Sequence, residues 1–129
     1  MAGSSRRDDR GDTTTQLVLI TPVVLVLVLL VVQLALFLHA SNVGAAAAHR
    51  AVAAGAVLGA SAADGRRAAE ELAGDAGARL VGAPTVERSA GVVRARVSVR
   101  VHRLVPGLPT SVTRTAVAPV ERFVPEPER

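Results

Sequence analysis

The polarity of the chain changes abruptly at residue 17. Residues 17–38 carry no charge, and Thr21 and Gln33 are their polar members. Pro22 is the helix irregularity among them. Before this run stands SSRRDDR, which is almost all charge, and the border reads RGDTTTQLVLITPV. The 22 uncharged residues, at the rise of an α-helix, make a rod of about 33 Å. A bilayer's hydrocarbon core is roughly 30 Å thick, so the run predicts a membrane span. A single span in lipid has to satisfy its own backbone hydrogen bonds, which selects a helix.

Past the span, residues 39–63 are dominated by Ala, the strongest helix former, with no firm stop. One long helix is predicted from about 15 to 61, with Asn42 and Gly44 as its weakest points and a bend there if anywhere. Small residues recur along it at Gly44, Ala48, Ala51, Gly55 and Gly59. The Gly55–Gly59 pair has the small-xxx-small spacing that lets helices approach closely. The general abundance of Gly and Ala accounts for the same pattern without assembly.

Asp64 is an N-cap candidate for a second helix over about 65–80. There the pairs Arg66–Glu70 and Arg67–Glu71 fall at i,i+4 on a solvated face, with Leu72, Ala76 and Leu80 on one stripe. The period then changes from helical to alternating. Val93, Ala95, Val97, Val99 and Val101 alternate with Arg94, Arg96, Ser98, Arg100 and His102, a strand with one apolar and one basic face. Residues 85–88 are its expected partner through a turn at Ser89-Ala90-Gly91. After the Pro106 and Pro109 loop, a third strand is expected over 111–118, with Val112, Arg114, Ala116 and Ala118 on one face. Pro119 ends it or marks an edge.

The predicted fold class is therefore α+β: a long N-terminal transmembrane helix continuing into a helical stalk, a short second helix, and a small antiparallel β-sheet of about three strands. The expected division is a basic cytoplasmic leader at 1–11, helix and extension at 12–61 (span 17–38), a small extracytoplasmic α+β domain at 62–124, and a disordered tail at 125–129.

Composition sharpens this picture. The chain is 129 residues long and half hydrophobic, yet only 2% aromatic. Much of the apolar content lies in the span, so the outer core has to be thin and built of Val, Ala and Leu. With no cysteine, disulfides and thiolate metal sites are excluded. All the Lys and Arg residues are Arg, as a GC-rich coding bias would produce, so the formal charge of +4 is weak evidence for a nucleic-acid partner. Without stacking aromatics none is expected.

No constellation for catalysis stands out. His39 and His49 are ten residues apart, which on an ideal helix is about 80° of rotation and about 15 Å of rise, no metal pair. Glu70 and Glu71 are adjacent and point apart. The Ser and Thr residues lack an obvious base and orienter. There is no P-loop or dinucleotide glycine motif. The expectation is a non-enzyme with no catalytic residue, metal, cofactor or small-molecule substrate. The stripe of Arg94, Arg96 and Arg100 reads as the wet face of a strand, or as a surface for an acidic partner, anionic lipid headgroups or a cell-wall polymer.

Orientation follows from Arg6, Arg7 and Arg10 before the span, against Arg50 alone close behind it. The positive-inside rule puts the N-terminus in the cytoplasm and residues 39–129 outside. A cleavable signal ending near Ala40 is the rival, although its apolar region would be unusually long. Twin-arginine export from Arg6-Arg7 is another, weakened by Asp8-Asp9.

The border has a second pattern. Arg10-Gly11, four residues, Gln16, residues 17–21, Pro22 and then an aliphatic run resembles the TadE-like branch of type IV pilin-like proteins, the pseudopilins of tight-adherence (Flp-type) pilus systems. Asn42, residues 45–48, Arg50, Ala53, Ala54 and Gly55 are similar to the small-residue continuation of that family's helix. The resemblance implies cleavage between Gly11 and Asp12 by a prepilin peptidase, and a freed helix that is both anchor and assembly element. It implies partnership with the bilayer, other pilin-like subunits and pilus assembly proteins, and a location in a bacterial cytoplasmic membrane that extends to the pilus. Gln16 stands where the family has Glu, which pairs with a neighbour's N-terminal amine. An amide accepts a hydrogen bond from that ammonium but does not neutralise it. Gln16 and Pro22, with Gly55 and Gly59, are the implied helix-assembly positions. An unprocessed single-pass protein with an extracytoplasmic interaction domain, and a small domain released by signal peptidase, are the alternatives.

Overall fold

The computed structural model describes residues 8–121, and the expected disordered tail and most of the leader lie outside them. The fold is α+β, as the period changes predict. Helix α1 (Asp8–Ala56) is followed by α2 (Ala62–Asp75) and strands β1 (Thr85–Ser89), β2 (Val92–Arg100) and β3 (Ser111–Pro119). The strands form an antiparallel sheet in the order β1-β2-β3. That sheet and α2 cover one end of α1.

At 49 residues, α1 is about 74 Å long, far longer than a domain this small requires. Its two halves have different surroundings. Every described side chain over residues 14–32 is exposed. From Gln33 on, a buried stripe appears: Ala40 and Ser41, Val43 and Gly44, Ala47 and Ala48, Ala51 and Val52, Gly55 and Ala56. This is the helical period, with one face covered and Asn42, Ala46, His49 and Arg50 on the open side. The helix runs through Asn42 and Gly44 without a break. Gly44 is instead a close-approach position, where a Cβ would stand 3.3 Å from both Arg114 and Val99.

The helix stops at Ala56, not 61. Its last carbonyls find partners in the sheet region rather than in a further turn. Arg88 Nη1 donates to the Gly55 carbonyl (3.2 Å) and also to that of Ala60. The Glu121 amide donates to the Ala56 carbonyl at 3.1 Å. Gly59, at φ +82°, turns the chain away.

Helix α2 starts three residues earlier than expected, and Asp64 is not its N-cap. Ser61 caps, its hydroxyl accepting from the Asp64 amide, while the Asp64 carboxylate accepts from the Ser61 amide, a reciprocal capping box. The helix ends at Asp75, so Ala76 and Leu80 do not extend its stripe. Gly65, Ala69 and Ala73 form the buried face instead, and Leu80 bridges to Val99. Among the described residues the α2 ion pair joins Arg67 to Asp64 at 3.6 Å, rather than Arg66 or Arg67 to the glutamates.

The hairpin turn contains only Ala90 and Gly91, because Ser89 already pairs with Val92. Both turn residues have positive φ, +49° and +79°, the requirement of a tight turn matching strand twist. On the inner sheet face Val93, Val97 and Val99 are the largest fully buried side chains. Opposite them lie the alanines of α1. Small on one side and branched on the other, they make the thin core that the composition implies.

Candidate functional site

The N-terminal half of α1 holds the residues singled out by their spacing. Gly11 and Asp12 belong to its first turns. Gln16 is exposed, as are the aliphatic side chains that follow, with Leu17 66% and Leu25 59% accessible. Pro22 lies inside the helix and has no amide for the Val18 carbonyl. One residue earlier, the Thr21 hydroxyl donates to the Leu17 carbonyl at 2.7 Å. Such back-bonding beside a proline supplies a polar partner from within the helix where lipid offers none. Residues 14–32 therefore form a continuous apolar surface broken only by Gln16 and Thr21 beyond the first two threonines.

The small-residue pair does not lie on one helix face. Gly55 is buried, and a Cβ there would meet Val93 at 3.2 Å and Val86 at 3.6 Å. Its bareness is used by the chain's own sheet. Gly59 lies beyond the end of α1 in open surroundings. The close helix approach occurs at Gly65, where a Cβ would stand 2.7 Å from the Ala51 carbonyl oxygen.

Gln33 acquires a role that its place in an apolar run did not disclose. It is 4% exposed. Its Nε2 donates to the His102 carbonyl at 3.1 Å, and its Oε1 accepts from the Leu104 amide at 2.7 Å. One side chain thus satisfies a donor and an acceptor of the loop between β2 and β3. Beside it, Leu30, Leu34 and Phe37 of α1 line an apolar hollow with Leu108 and Pro109. One turn further along, His39 and Ala40 border a cleft with Arg79, Arg100 and His102. A polar residue inside an otherwise uncharged run was the available signal. Its partner, about seventy positions away, was not.

The two faces of the sheet use their arginines differently. Arg94 and Arg96 stand on the outer face with Thr85 and Glu87, and Glu87 is opposite Arg94 in the ladder. Arg88 and Arg114 are on the helix-facing side. Arg114 donates to the Ser41 hydroxyl through Nε at 3.0 Å and through Nη2. Both inner arginines therefore hold the sheet to α1.

Chemistry beyond packing is sparse. His39, His49 and His102 are all exposed. Among the described residues no group of three or more His, Cys, Asp or Glu side chains could hold a metal ion. The Asp64 carboxyl is held below the usual carboxylate range, chiefly by the Ser61 amide, then by the Ser61 hydroxyl, with Arg67 adding a smaller attraction. That is a capping arrangement rather than a proton-transfer site.

Residues 11–53 match the family model "TadE-like protein". The match begins at Gly11, runs through the exposed apolar half of α1 and ends three residues before its C-terminus. It leaves α2 and the sheet outside. No curated protein and no solved structure matches the chain.

Proposed function

With a TadE-like segment at residues 11–53 as the premise, we propose that the protein is a minor pseudopilin of a Flp/Tad-type pilus or a related secretion assembly. It acts without catalysis. The N-terminus lies in the cytoplasm, α1 crosses the cytoplasmic membrane, and α2 with the sheet is displayed on the extracytoplasmic side. A prepilin peptidase cuts between Gly11 and Asp12, and the released helix packs beside other pilin-like subunits.

The observation that carries this reading is the coincidence of the family match with the exposed half of α1. A helix surface of this length and apolarity needs lipid or other helices around it. The weakness of the first turns favours cutting. Gly11 costs a helix roughly 1 kcal/mol relative to Ala, and Thr13 to Thr15 are poor helix formers, so opening this end for a protease is cheap. Gln16 offers a neighbouring ammonium a neutral acceptor, which fits a subunit used sparingly better than one repeated along a filament.

The test is N-terminal sequencing of membrane-extracted protein made with and without the prepilin peptidase. The reading expects a chain beginning at Asp12 only when the peptidase is present, and Gly11→Leu to abolish the cut. A chain keeping Met1 in both cases would support an unprocessed single-pass protein. One beginning near residue 40 would support a secreted domain.

A further inference from the structure

The stretch of α1 that is bare on every side is shorter than the membrane it is read to cross. Residues 17–32 number sixteen, which at the helical rise is about 24 Å. The hydrocarbon core is roughly 30 Å thick, so it extends some four residues further, to about Leu36. At that level α1 is no longer bare. Gln33 holds the loop after β2 against it, and Leu108 and Pro109 pack beside Leu30, Leu34 and Phe37.

Residues 104–109 of that loop read LVPGLP, six positions without charge. Leu104 is 46% exposed, and the neighbouring helix residues Leu30 and Leu34 are 43% and 57% exposed. The apolar surface of α1 thus passes without interruption onto the loop. The Gln33 bonds satisfy the His102 carbonyl and the Leu104 amide at this depth, where unpartnered backbone groups are costly in hydrocarbon. Immediately further from the span, the cleft at His39 carries Arg79, Arg100 and His102 and has no acidic residue in its lining. Its position corresponds to the headgroup layer, where anionic phosphates attract arginine.

We propose that residues 104–109 are inserted into the hydrocarbon boundary of the leaflet on the domain's side, with Arg79 and Arg100 at the level of the phosphates of anionic phospholipids. The domain is then seated in the bilayer surface, and Gln33 is the latch that sets its depth. This rests on the reading of α1 as a membrane span.

The chain's lack of cysteine makes the test direct. Single variants Leu104→Cys, Val105→Cys, Leu25→Cys and Glu87→Cys of the full chain are placed one copy per nanodisc, in phosphatidylcholine with or without phosphatidylglycerol. Each is alkylated with a charged maleimide, then labelled with an environment-sensitive dye and quenched by lipids carrying nitroxides at shallow or deep positions. The expected result is quenching of position 25 by deep nitroxides, of positions 104 and 105 by shallow ones, and of position 87 by neither. Alkylation should be slowed at 104 and 105 relative to 87, further so with phosphatidylglycerol, and Arg79→Gln with Arg100→Gln should remove that lipid dependence. Positions 104 and 105 behaving like 87 while 25 stays quenched would overturn the insertion alone. Loss of quenching at 25 as well would overturn the span with it. Protection of 104 only when two copies share a disc would identify the occupant as a second chain and overturn the lipid assignment. Equal rates in both lipids would overturn the role given to the arginines.

Discussion

Gln33 Oε1 accepts the Leu104 amide at 2.7 Å across 71 positions of sequence. The same side chain donates to the His102 carbonyl at 3.1 Å. A single amide therefore joins the middle of α1 to the loop between the last two strands. Gln33→Leu should leave both loop groups without their partner and cost about 1–3 kcal/mol. Gln33→Glu keeps an acceptor for Leu104. Ionised, it has no donor for the His102 carbonyl and buries a charge, so it should cost at least as much as Gln33→Leu, whereas protonated its hydroxyl replaces the lost donor and the cost should fall. Urea unfolding in detergent gives the order, and hydrogen exchange at the Leu104 amide should speed up in Gln33→Leu.

Two glycines that look alike in sequence should respond differently to Ala. At Gly65 a Cβ would stand 2.7 Å from the Ala51 carbonyl oxygen, a backbone atom that cannot swing aside. Gly65→Ala should destabilise by about 1–3 kcal/mol despite the better helix propensity of Ala. At Gly44 the tightest neighbours, at 3.3 Å, are side-chain atoms of Arg114 and Val99. Gly44→Ala should fall much nearer neutral, the helix gain offsetting the crowding. Chemical denaturation of the two variants side by side checks the contrast.

The arginines of the sheet should separate into two classes. Arg88 donates to the Gly55 carbonyl at the end of α1, at 3.2 Å, and to the Ala60 carbonyl in the turn that follows. Arg88→Ala should lose about 1–3 kcal/mol, since hydrogen bonds from a charged donor are removed and a helix-end carbonyl loses its partner. Arg94→Ala and Arg96→Ala, on the outer face, should stay within about 0.5 kcal/mol of the parent. A comparable loss at all three positions would contradict the division of the sheet into a helix-binding and an open face.

The capping box makes a pH prediction. The Ser61 amide and hydroxyl, at 2.8 and 2.7 Å, and then Arg67 hold the Asp64 carboxyl below its ordinary range. A carboxyl depressed in the folded state adds stability above its unfolded pKa, and that contribution is lost as pH falls through the lower folded value. The advantage of the parent over Asp64→Asn should therefore be full at neutral pH and fade in acid below the usual carboxylate range. Ser61→Ala should cost about 1 kcal/mol at neutral pH, as loss of an N-cap does. Thermal unfolding of the three proteins across pH reads both effects.

Much of the architecture was legible because the chain changes period cleanly. The Val/Arg alternation of residues 93–100 could only be a half-buried strand, and Gly91 with the two prolines marked where strands had to stop. The helix ends were less legible for local reasons. Ser61 and Asp64 are both competent caps, and only the reciprocal bonds decide that Ser61 caps while Asp64 sits in the third helical position. At the end of α1 an Ala-rich tract has no local reason to stop at residue 56. Arg88 and Glu121 arrive from the sheet and its trailing chain to take the terminal carbonyls. Small residues misled in a similar way. Gly55 and Gly59 have the right spacing for two helices, but the space at Gly55 belongs to Val93 and Val86.

The sequence by itself determined the long apolar helix, the α+β class, the strand faces and the TadE-like border from Gly11 to Pro22. All of these rest on local periodicity, on spacing and on the hydrogen-bond demands of lipid. Only the tertiary structure decided where the bare helix becomes a covered one, what Arg88 and Arg114 bond to on α1, and why an amide stands at Gln33. Those answers depend on groups brought together from distant parts of the chain. A side chain's own neighbours in sequence reveal its cost of burial, but not the partner that removes it.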